Sequence, residues 1–300
     1  MKVLFTGNVP PPIGGVTIFL KYFIEAAECS GNICLNRFTF RRLILEPSHS
    51  TIHINASNDL KRVLYILVAK LFRKKVFFTK HGGNLDLNSK LVIFSLRYAD
   101  GVFCLNEKVY NKIKSIGVNC LLHSTIFAEN SASIRKQYPL KKNWSRTRLL
   151  LYINNDGFVD GKEIYGANFI IDNLPCLMED YDLVVIDLSG KYKESFSFFK
   201  NVTYSSSPCD FKLLLSESDI YIRPTSTDGM SVALLEAGLI GVKCLASDVV
   251  DRPEFVRLYK FGSSESFLRE LSQLSKEPEP ISYQHLSSIN EIVNFFSNTK

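Results

Sequence analysis

Strand-sized apolar runs alternate with helix-sized amphipathic segments along most of the chain, and this alternation restricts the fold more than any other feature. The first repeat of the pattern is an apolar run at residues 2–6, a loop, and a segment at 16–27 whose apolar residues recur three and four positions apart. Further strands are predicted at 51–54, 76–79, 101–105 and 120–123, and further helices at 60–72, 90–98 and 107–116. Alternation on this scale predicts a parallel sheet with helices on both faces.

A polar stretch without periodicity, residues 128–148, interrupts the alternation, which then restarts. Strands are predicted at 149–153, 183–188, 202, 220–223 and 242–246, and helices near 167–177, 211–216 and 232–239. A chain of 300 residues also exceeds what one hydrophobic core usually holds. We therefore predict two doubly wound α/β domains facing each other across a cleft, over residues 1–132 and 147–281. Residues 282–300 form a C-terminal amphipathic helix that could pack back on the first domain.

Basic residues are concentrated in the first half of the chain. Residues 1–140 contain 19 Lys and Arg against 8 Asp and Glu, and the rest of the chain contains 17 against 22. The overall charge of +6 is too small to indicate nucleic-acid binding without a supporting motif. Around the second predicted helix, cations mix with apolar side chains, which is typical either of a solvated helix face or of a surface that rests on anionic lipid. These cations are Lys61, Arg62, Lys70, Arg73, Lys74 and Lys75.

Seven cysteines are scattered along the chain without a CxxC pair, so the sequence indicates neither a disulfide framework nor a zinc site. This usage favours a reducing compartment. No signal-peptide pattern is present, and the most apolar long stretch is about half of the ~20 residues that cross a bilayer. We expect a cytoplasmic protein whose membrane contact, if any, is peripheral and at the inner face of the cell membrane.

Two glycines, Gly14 and Gly15, stand between the first predicted strand and the first helix. Glycines allow a backbone to approach an anion closely, and the N-terminus of the helix presents N–H groups that suit a diphosphate. A plain turn explains the same residues equally well. A dinucleotide fingerprint is not present, because Gly7 has the wrong spacing to these glycines.

A second candidate site lies in residues 224–237, after the predicted strand at 220–223. Asp228 is placed in the loop and Glu236 in the second turn of the following helix, so both border the carboxyl end of the sheet, where open α/β sheets bind ligands. Paired acceptors there suit sugar hydroxyls, and the backbone N–H groups from Gly229, Met230 and Ser231 onward could donate to the same ligand. The alternative is a helix with a capping Asp and a solvent-facing Glu.

Several stretches, in order along nearly the whole chain, resemble the family 4 retaining glycosyltransferases of the GT-B fold. The second site is similar to that family's Pro-Ser-x-x-Glu-Gly motif and Glu-x7-Glu pair, with Asp228 in the place of the first Glu. The likeness continues through Gly241-Val242, Ala246-Ser247-Asp248, Pro253-Glu254, the loop Pro11-Pro12-Ile13-Gly14-Gly15, Thr79-Lys80-His81-Gly82 and the segment from His123 to Glu129. The resemblance implies a GT-B protein of two Rossmann-like domains, of the type that builds bacterial surface polysaccharides.

The resemblance also implies roles for single residues. The backbones of Gly14 and Gly15 would hold the diphosphate, and His81 would face the reacting sugar and the acceptor. Asp228 would hold sugar hydroxyls and Glu236 the ribose hydroxyls. Lys162 matches the family's Lys on the diphosphate, whereas the family's Arg has no counterpart in residues 152–158, and no metal ion or other cofactor is expected.

These implications define the expected function. A sugar would pass, with retention, from a nucleoside-diphosphate sugar to a hydroxyl of a glycan or lipid-linked acceptor, in O-antigen or capsule synthesis. The basic first half would be the acceptor and membrane side, and the acidic second half the donor side. The alternatives are a nucleotide-sugar epimerase or hydrolase on the same fold, and a non-catalytic partner subunit. Asp180-Tyr181-Asp182 precedes a strand rather than following one, which favours a turn over a metal-binding Asp-x-Asp.

Overall fold

The computed structural model describes residues 1–10, 14–46, 50–81, 85–141, 144–278, 280, 283 and 286–299. The chain divides into two compact units. The first unit comprises Met1–Ser133, Gly229–Val232 and His285–Lys300, and the second comprises Ile134–Asp228 and Ala233–Gln284. Among the described helices, none is both long enough and apolar enough to cross a membrane.

The first unit contains a parallel sheet of six strands, in the order β2-β1-β3-β4-β5-β6. Its strands are β1 (Lys2–Phe5), β2 (Cys34–Arg37), β3 (Thr51–Ile54), β4 (Lys75–Lys80), β5 (Gly101–Cys104) and β6 (Cys120–Leu122). The helices between them are α1 (Gly15–Ser30), α2 (Phe40–Leu45), α3 (Asp59–Leu71), α4 (Lys90–Tyr98) and α5 (Glu107–Ser115). The predicted elements are found within a few residues of their expected bounds, while β2 and α2 were not predicted. Both are short, and β2 has no fully buried residue, so it carries no apolar run.

The second unit contains another parallel sheet of six strands, in the order β11-β10-β7-β12-β13-β14. Its strands are β7 (Thr147–Ile153), β10 (Tyr181–Asp187), β11 (Val202–Ser205), β12 (Ile220–Arg223), β13 (Lys243–Ser247) and β14 (Val256–Tyr259), and a separate antiparallel hairpin consists of β8 (Phe158–Val159) and β9 (Lys162–Glu163). The helices are α6 (Ala128–Gln137), which runs across the division between the units, and α7 (Ala167–Asp180), α8 (Lys193–Ser197), α9 (Phe211–Ser216), α10 (Val232–Ile240) and α11 (Ser264–Lys276).

The polar stretch at residues 128–148 is not irregular throughout, as the sequence suggested, because α6 occupies its first half. Helix α6 has a weak apolar periodicity, and its buried apolar contacts come from Ile134 and from Tyr138 directly after the helix. The strand β14 and the helix α11 were also missed. The Asp180-Tyr181-Asp182 segment joins α7 to β10, and Asp182 forms an ion pair with Arg146, 3.2 Å from Nε to Oδ1.

The final helix, α12 (Ile289–Asn298), belongs to the first unit. It is shorter than the segment predicted for it, because Ser288 caps it and the residues described before Ser288 are not helical. The carboxylate of Glu129 accepts hydrogen bonds from Ser288 Oγ at 2.7 Å and from Ile289 N at 3.1 Å. The ring of Phe296 packs edge-on against that of Phe77, with the centroids 4.7 Å apart. The C-terminal helix therefore completes the apolar face of the first sheet.

Candidate functional site

Each sheet has a switch point at which the chain leaves one side of a strand and continues on the other. In the first sheet this point lies between β1 and β3, and in the second between β7 and β12. Parallel α/β sheets bind ligands at the carboxyl ends of the strands beside such a point. The residues predicted to be functional follow β1, β4, β7 and β12 in sequence, so the topology places them at the two ligand-binding edges.

Gly14 is the N-cap of α1, and Gly15 is the first residue of the helix. The hydroxyl of Thr17 accepts from Gly14 N and donates to Gly14 O, both at 3.0 Å, which fixes the start of the helix. Neither glycine has a positive φ, and a Cβ at Gly15 would meet nothing within 4 Å among the described residues. The described part of the chain therefore does not require glycine at position 15. Open space beside a helix N-terminus suits a bound anion. Pro11, Pro12 and Ile13 lie outside the described residues.

His81 directly follows β4 and is half-buried. Its Nε2 is hydrogen-bonded to Oδ1 of Asn55, at the end of β3. Because an amide oxygen can only accept, Nε2 carries the proton and Nδ1 keeps a lone pair. Burial, followed by the effects of His123 and Lys80, lowers the pKa of His81 to about 3, so the imidazole is neutral at pH 7. Gly82, the next residue of the motif, lies outside the described residues.

Two further histidines lie behind His81 in the first unit. His53 and His123 are buried, and the ring of Phe19 contacts all three imidazoles, with centroid distances of 6.5 Å to His53, 5.7 Å to His123 and 5.3 Å to His81. Burial lowers the pKa of His53 to about 3 and that of His123 to about 4. We call His53, His81 and His123 the histidine cluster. All three imidazoles of the cluster are neutral at pH 7, whereas the sequence indicated only His81 as a candidate functional histidine.

Asp228 does not stand alone at the edge of the second sheet. Arg223, the last residue of β12, grips its carboxylate with two contacts, Nε to Oδ2 at 2.6 Å and Nη2 to Oδ1 at 3.0 Å. Arg252, from the loop after β13, places Nη1 2.8 Å from Oδ2. Burial alone would raise the pKa of Asp228, but Arg223 and then Arg252 outweigh it and lower that pKa to about 2. We call these three residues the arginine cluster.

Glu236 lies in α10 and is buried. Its Oε1 is 3.8 Å from Nζ of Lys212, which in turn stands 5.5 Å from the ring centroid of Tyr138. The hydroxyl of Tyr138 donates to Asp210 Oδ2 at 2.8 Å. Burial, with Asp210 as the next cause, raises the pKa of Tyr138 to about 12, which keeps this hydroxyl a donor. Glu236 is thus a buried carboxylate near a cation, and it does not face solvent as the capping alternative would have it.

Lys162 lies on β9, directly after the turn of the hairpin. The turn residues Asp160 and Gly161 both have positive φ, +50° and +73°, which is the conformation of a tight two-residue hairpin. Lys162 is exposed, with Nζ 5.5 Å from the ring centroid of Phe261. The sequence indicated only a loop here, because strands of two residues leave no periodicity to detect.

Gly229, Met230 and Ser231 form the segment that leads into α10, and the division of the chain groups them with the first unit. Ser231 is buried, while Gly229 and Met230 are partly exposed. Among the described residues, no group of three or more His, Cys, Asp or Glu is placed to hold a metal ion. The absence of a metal requirement remains a prediction.

Sequence reasoning missed Arg223, Arg252 and Asn55. Arg223 ends the predicted strand directly before the second candidate site and was given no role, although a basic residue at the end of a buried strand was a usable signal. Arg252 is 24 residues from Asp228, so nothing in local spacing connects them. Asn55 follows β3 as His81 follows β4, and the adjacency of those strands would have paired them.

Solved structures match the chain over its whole length. HepE of Anabaena, in complex with UDP and glucose, covers 99% of this chain and 100% of its own at 12% identity and a TM-score of 0.66. Sucrose-phosphate synthase of Thermosynechococcus elongatus covers 100% of this chain and 95% of its own, at 11% identity and a TM-score of 0.67. The lipopolysaccharide outer core galactosyltransferase WaaB covers 100% of both chains, at 14% identity and a TM-score of 0.64. The chain has the GT-B fold. The architecture predicted from the motifs is thereby confirmed.

At the sequence level, the chain is similar to a UDP-Gal:alpha-D-GlcNAc-diphosphoundecaprenol alpha-1,3-galactosyltransferase of Escherichia coli, 23% identical over 235 residues. The match takes in 70% of this chain and spans 60% of the length of that relative. No family model matches the chain. The resemblance to glycosyltransferases that the motifs indicated is confirmed by this relative and by the solved structures together.

Proposed function

We propose that the protein is a retaining glycosyltransferase that moves a hexose-type sugar from a nucleoside-diphosphate sugar to a hydroxyl of a lipid-linked glycan, in the synthesis of O-antigen or capsule. The observation that carries this proposal is the placement of glycine, histidine, carboxylate and arginine groups at the carboxyl ends of strands in both sheets. The relative from Escherichia coli supports it, since its name describes a UDP-galactose donor and a diphosphoundecaprenol-linked acceptor.

The chemistry requires stabilisation of negative charge on the diphosphate as the bond between sugar and phosphate breaks. Two features of the chain suit this requirement. The N-terminus of α1 offers the backbone N–H of Gly15, beside which a Cβ would meet nothing within 4 Å in the described part of the chain, and Lys162 presents an exposed cation from the hairpin. Glu236 is the acceptor for the ribose hydroxyls, because it is a buried carboxylate on the helix that follows β12, and a carboxylate only accepts hydrogen bonds.

His81 is oriented for a contact with a hydroxyl rather than with an anion. Its proton on Nε2 is committed to Asn55, and its lone pair on Nδ1 can accept from a hydroxyl of the sugar or of the acceptor. In a retaining mechanism the acceptor hydroxyl attacks on the face from which the diphosphate leaves, and an oxygen of the leaving group takes the proton. A neutral His81 then orients the reacting hydroxyl, and no carboxylate nucleophile is needed.

The transfer reaction is tested with UDP-galactose or UDP-glucose as donor and a GlcNAc-diphosphoundecaprenol acceptor, with release of UDP as the signal. We expect release that depends on the acceptor, and NMR of the product should show a retained anomeric configuration. Glu236→Gln should lower kcat/KM by about a hundredfold, since a buried acceptor is lost. Glu265→Gln, on an exposed position of α11 in the same unit, is the matched control and should leave the rate unchanged.

Equal rates of UDP release with and without the acceptor would show that the protein hydrolyses the nucleotide sugar and does not transfer the sugar. Equal rates for Glu236→Gln and for the unaltered protein would remove Glu236 from the site.

We further propose that the protein works on the inner face of the cell membrane, with a peripheral contact through the first unit. The structure changes which groups support this contact. Arg62 is buried and forms an ion pair with Asp59 at 2.6 Å, so it does not belong to a basic surface. Lys74 is buried as well, and Lys70 pairs with Asp100 at 2.6 Å. Of the predicted cations on this surface, Lys61 and Arg73 are exposed.

Exposed leucines on α3 support the membrane contact more strongly than its charge does. The residues recur along one side of the helix and are between 51% and 78% exposed: Leu60, Leu64, Leu67 and Leu71. We call them the leucine stripe. Helix α2 adds exposed apolar side chains at Phe40, Ile44 and Leu45. Apolar surface beside cations is the pattern of a helix that lies in the interface of an anionic bilayer.

Flotation with vesicles that contain anionic lipid tests this contact. The unaltered protein should float, and Leu64→Gln with Leu67→Gln should reduce the bound fraction by about tenfold, because two insertable side chains are lost. Leu213→Gln, a 39% exposed leucine of the second unit, is the control and should float normally. Unchanged flotation of the double variant would contradict the assignment of the leucine stripe.

A further inference from the structure

The arginine cluster holds more positive than negative charge in a place shielded from water. The side chains of Arg223 and Asp228 are 12% exposed and that of Arg252 is 1% exposed. Two guanidinium groups and one carboxylate add to one net positive charge. A charge that is taken out of water without a full counter-charge costs several kcal/mol, which an anionic ligand would offset.

The hydrogen-bonding capacity of the two arginines is also incompletely used. Arg223 donates from Nε and Nη2 to Asp228, and its Nη1 lies 3.2 Å from the hydroxyl of Tyr221. Arg252 donates from Nη1 to Asp228 and from Nη2 to Thr225. Its Nε is buried and has no hydrogen-bond partner among the described residues. A guanidinium has five N–H donors, so donors remain on both groups.

The position of the cluster points to a ligand rather than to a purely structural role. Arg223 ends β12, and Ile222 before it is paired with Leu151 of β7, so Arg223 lies beside the carboxyl end of β7 at the switch point of the second sheet. Its guanidinium carbon is 6.0 Å from the ring centroid of Tyr165, in the segment that follows β7. Structural ion pairs have no reason to concentrate at this crevice, whereas ligand-binding groups do.

The three side chains of the arginine cluster differ in position and in what each can contact. Arg223 is the more accessible cation, and the bidentate grip of Asp228 fixes the plane of its guanidinium. Arg252 lies behind them and holds Asp228 from the other side. A planar guanidinium held in this way is suited to an oxyanion, to which it donates paired hydrogen bonds.

We propose that the arginine cluster is an oxyanion subsite for the nucleotide sugar, in which Arg223 contacts the anion and Asp228 and Arg252 are positioning residues. The proposal rests on the proposed function for the identity of the ligand. The oxyanion is a phosphate of the diphosphate or a carboxylate on the donor sugar, and both are chemically equivalent partners of the same fork. Asp228 then acts mainly by holding Arg223, and not by binding sugar hydroxyls itself.

Titration calorimetry with five ligands tests the subsite: inorganic pyrophosphate, UDP, uridine, UDP-glucose and UDP-glucuronate. Arg223→Gln should weaken pyrophosphate and UDP by about tenfold to a hundredfold and leave uridine unchanged, because a charge-assisted contact to the anion is lost. A loss confined to UDP-glucuronate would place the sugar carboxylate in the subsite instead. Arg269→Gln, an exposed arginine of α11, is the matched control and should bind as the unaltered protein does.

Arg223→Gln leaves Asp228 and Arg252 as a neutral pair, so the variant should fold, and thermal melting checks this. Arg223→Met is the second variant and should show the same losses. The proposal is overturned if either folded variant binds all five ligands with the affinities of the unaltered protein. Binding of pyrophosphate that depends on Arg223, with no binding of any UDP ligand, would keep the subsite and reject the proposed function.

Discussion

The histidine cluster of the first unit and the arginine cluster of the second unit both lie toward the carboxyl end of a parallel sheet, the histidines on β3 and after β4 and β6, and the arginine cluster at the end of β12 and in the loops after β12 and β13. Their responses to burial are opposite. Burial lowers the pKa of His53 to about 3 and that of His123 to about 4, so the histidines lose their charge. Asp228 keeps its charge, with a pKa of about 2, because two arginines are within hydrogen-bonding distance.

The difference shows that burial alone does not decide ionisation. Buried histidines that would all carry a positive charge avoid the desolvation penalty by releasing their protons, because an imidazole can be neutral near pH 7. A set with opposite charges keeps them when the geometry is close, because the attraction outweighs desolvation. The first edge is therefore suited to hydroxyl groups, and the second to an anion.

Acidification should break the histidine cluster first. An unfolded histidine binds a proton near pH 6.5, whereas His53 and His123 resist protonation in the folded state until about pH 3 to 4. The stability they allow is complete above pH 6.5 and falls as the pH is lowered toward 4. At pH 5 the loss should be about 2 kcal/mol for each of these two, and His81, whose pKa is also lowered to about 3, should add to it. Urea denaturation at a series of pH values measures it.

His53→Gln is the variant that isolates this effect, because an amide can keep the contact to Thr79, 2.8 Å from Nε2, without titrating. Its unfolding free energy should change less between pH 7.5 and pH 5, by about 2 kcal/mol. If the variant and the unaltered protein lose stability in parallel over this range, His53 is not a source of the acid sensitivity.

Removal of the carboxylate should break the arginine cluster. Asp228→Asn leaves two buried guanidinium groups without a counter-charge, so it should cost about 3 kcal/mol of unfolding free energy at pH 7. In the unaltered protein this contribution is present above about pH 4 and is lost as the pH falls toward 2, well below the range of the histidine cluster. Asp251→Asn, an exposed neighbour, is the control and should cost less than about 0.5 kcal/mol. Equal costs would deny the cluster a structural role.

Two glycines sharpen the comparison between the units at a smaller scale. Gly166 in the second unit has a φ of +67°, and a Cβ there would lie 2.1 Å from the carbonyl oxygen of Pro224, so Gly166→Ala should cost about 2 kcal/mol. Gly15→Ala should change stability by less than about 0.5 kcal/mol yet weaken UDP binding by about tenfold, since its Cβ would stand where we propose that the diphosphate binds. Thermal melting and calorimetry separate the two effects. Unchanged affinity in Gly15→Ala would remove Gly15 from the donor site.

Much of the fold could be predicted because most of its strands and helices carry an apolar run or an apolar periodicity of their own. The strands β3 and β12 and the helices α4 and α9 fall at their predicted bounds. Helix α11 escaped prediction although it is 13 residues long and amphipathic. Other elements escaped because they have little apolar pattern, among them β2, the hairpin of β8 and β9, and α6. In these segments tertiary contacts decide the conformation, and local sequence does not record them.

The sequence by itself determined the alternation of strands and helices, the two parallel sheets, and the segments after predicted strands in which Gly14, His81, Asp228 and Glu236 stand. It could do so because strand and helix periods and glycine positions are local properties. Only the tertiary structure decided which charged groups are in contact. Arg62 is buried and does not form part of a basic surface, and Arg223 and Arg252 both donate to Asp228. Ionisation depends on neighbours brought together across strands. That is why the candidate residues were visible in the chain, while their charge states and partners were not.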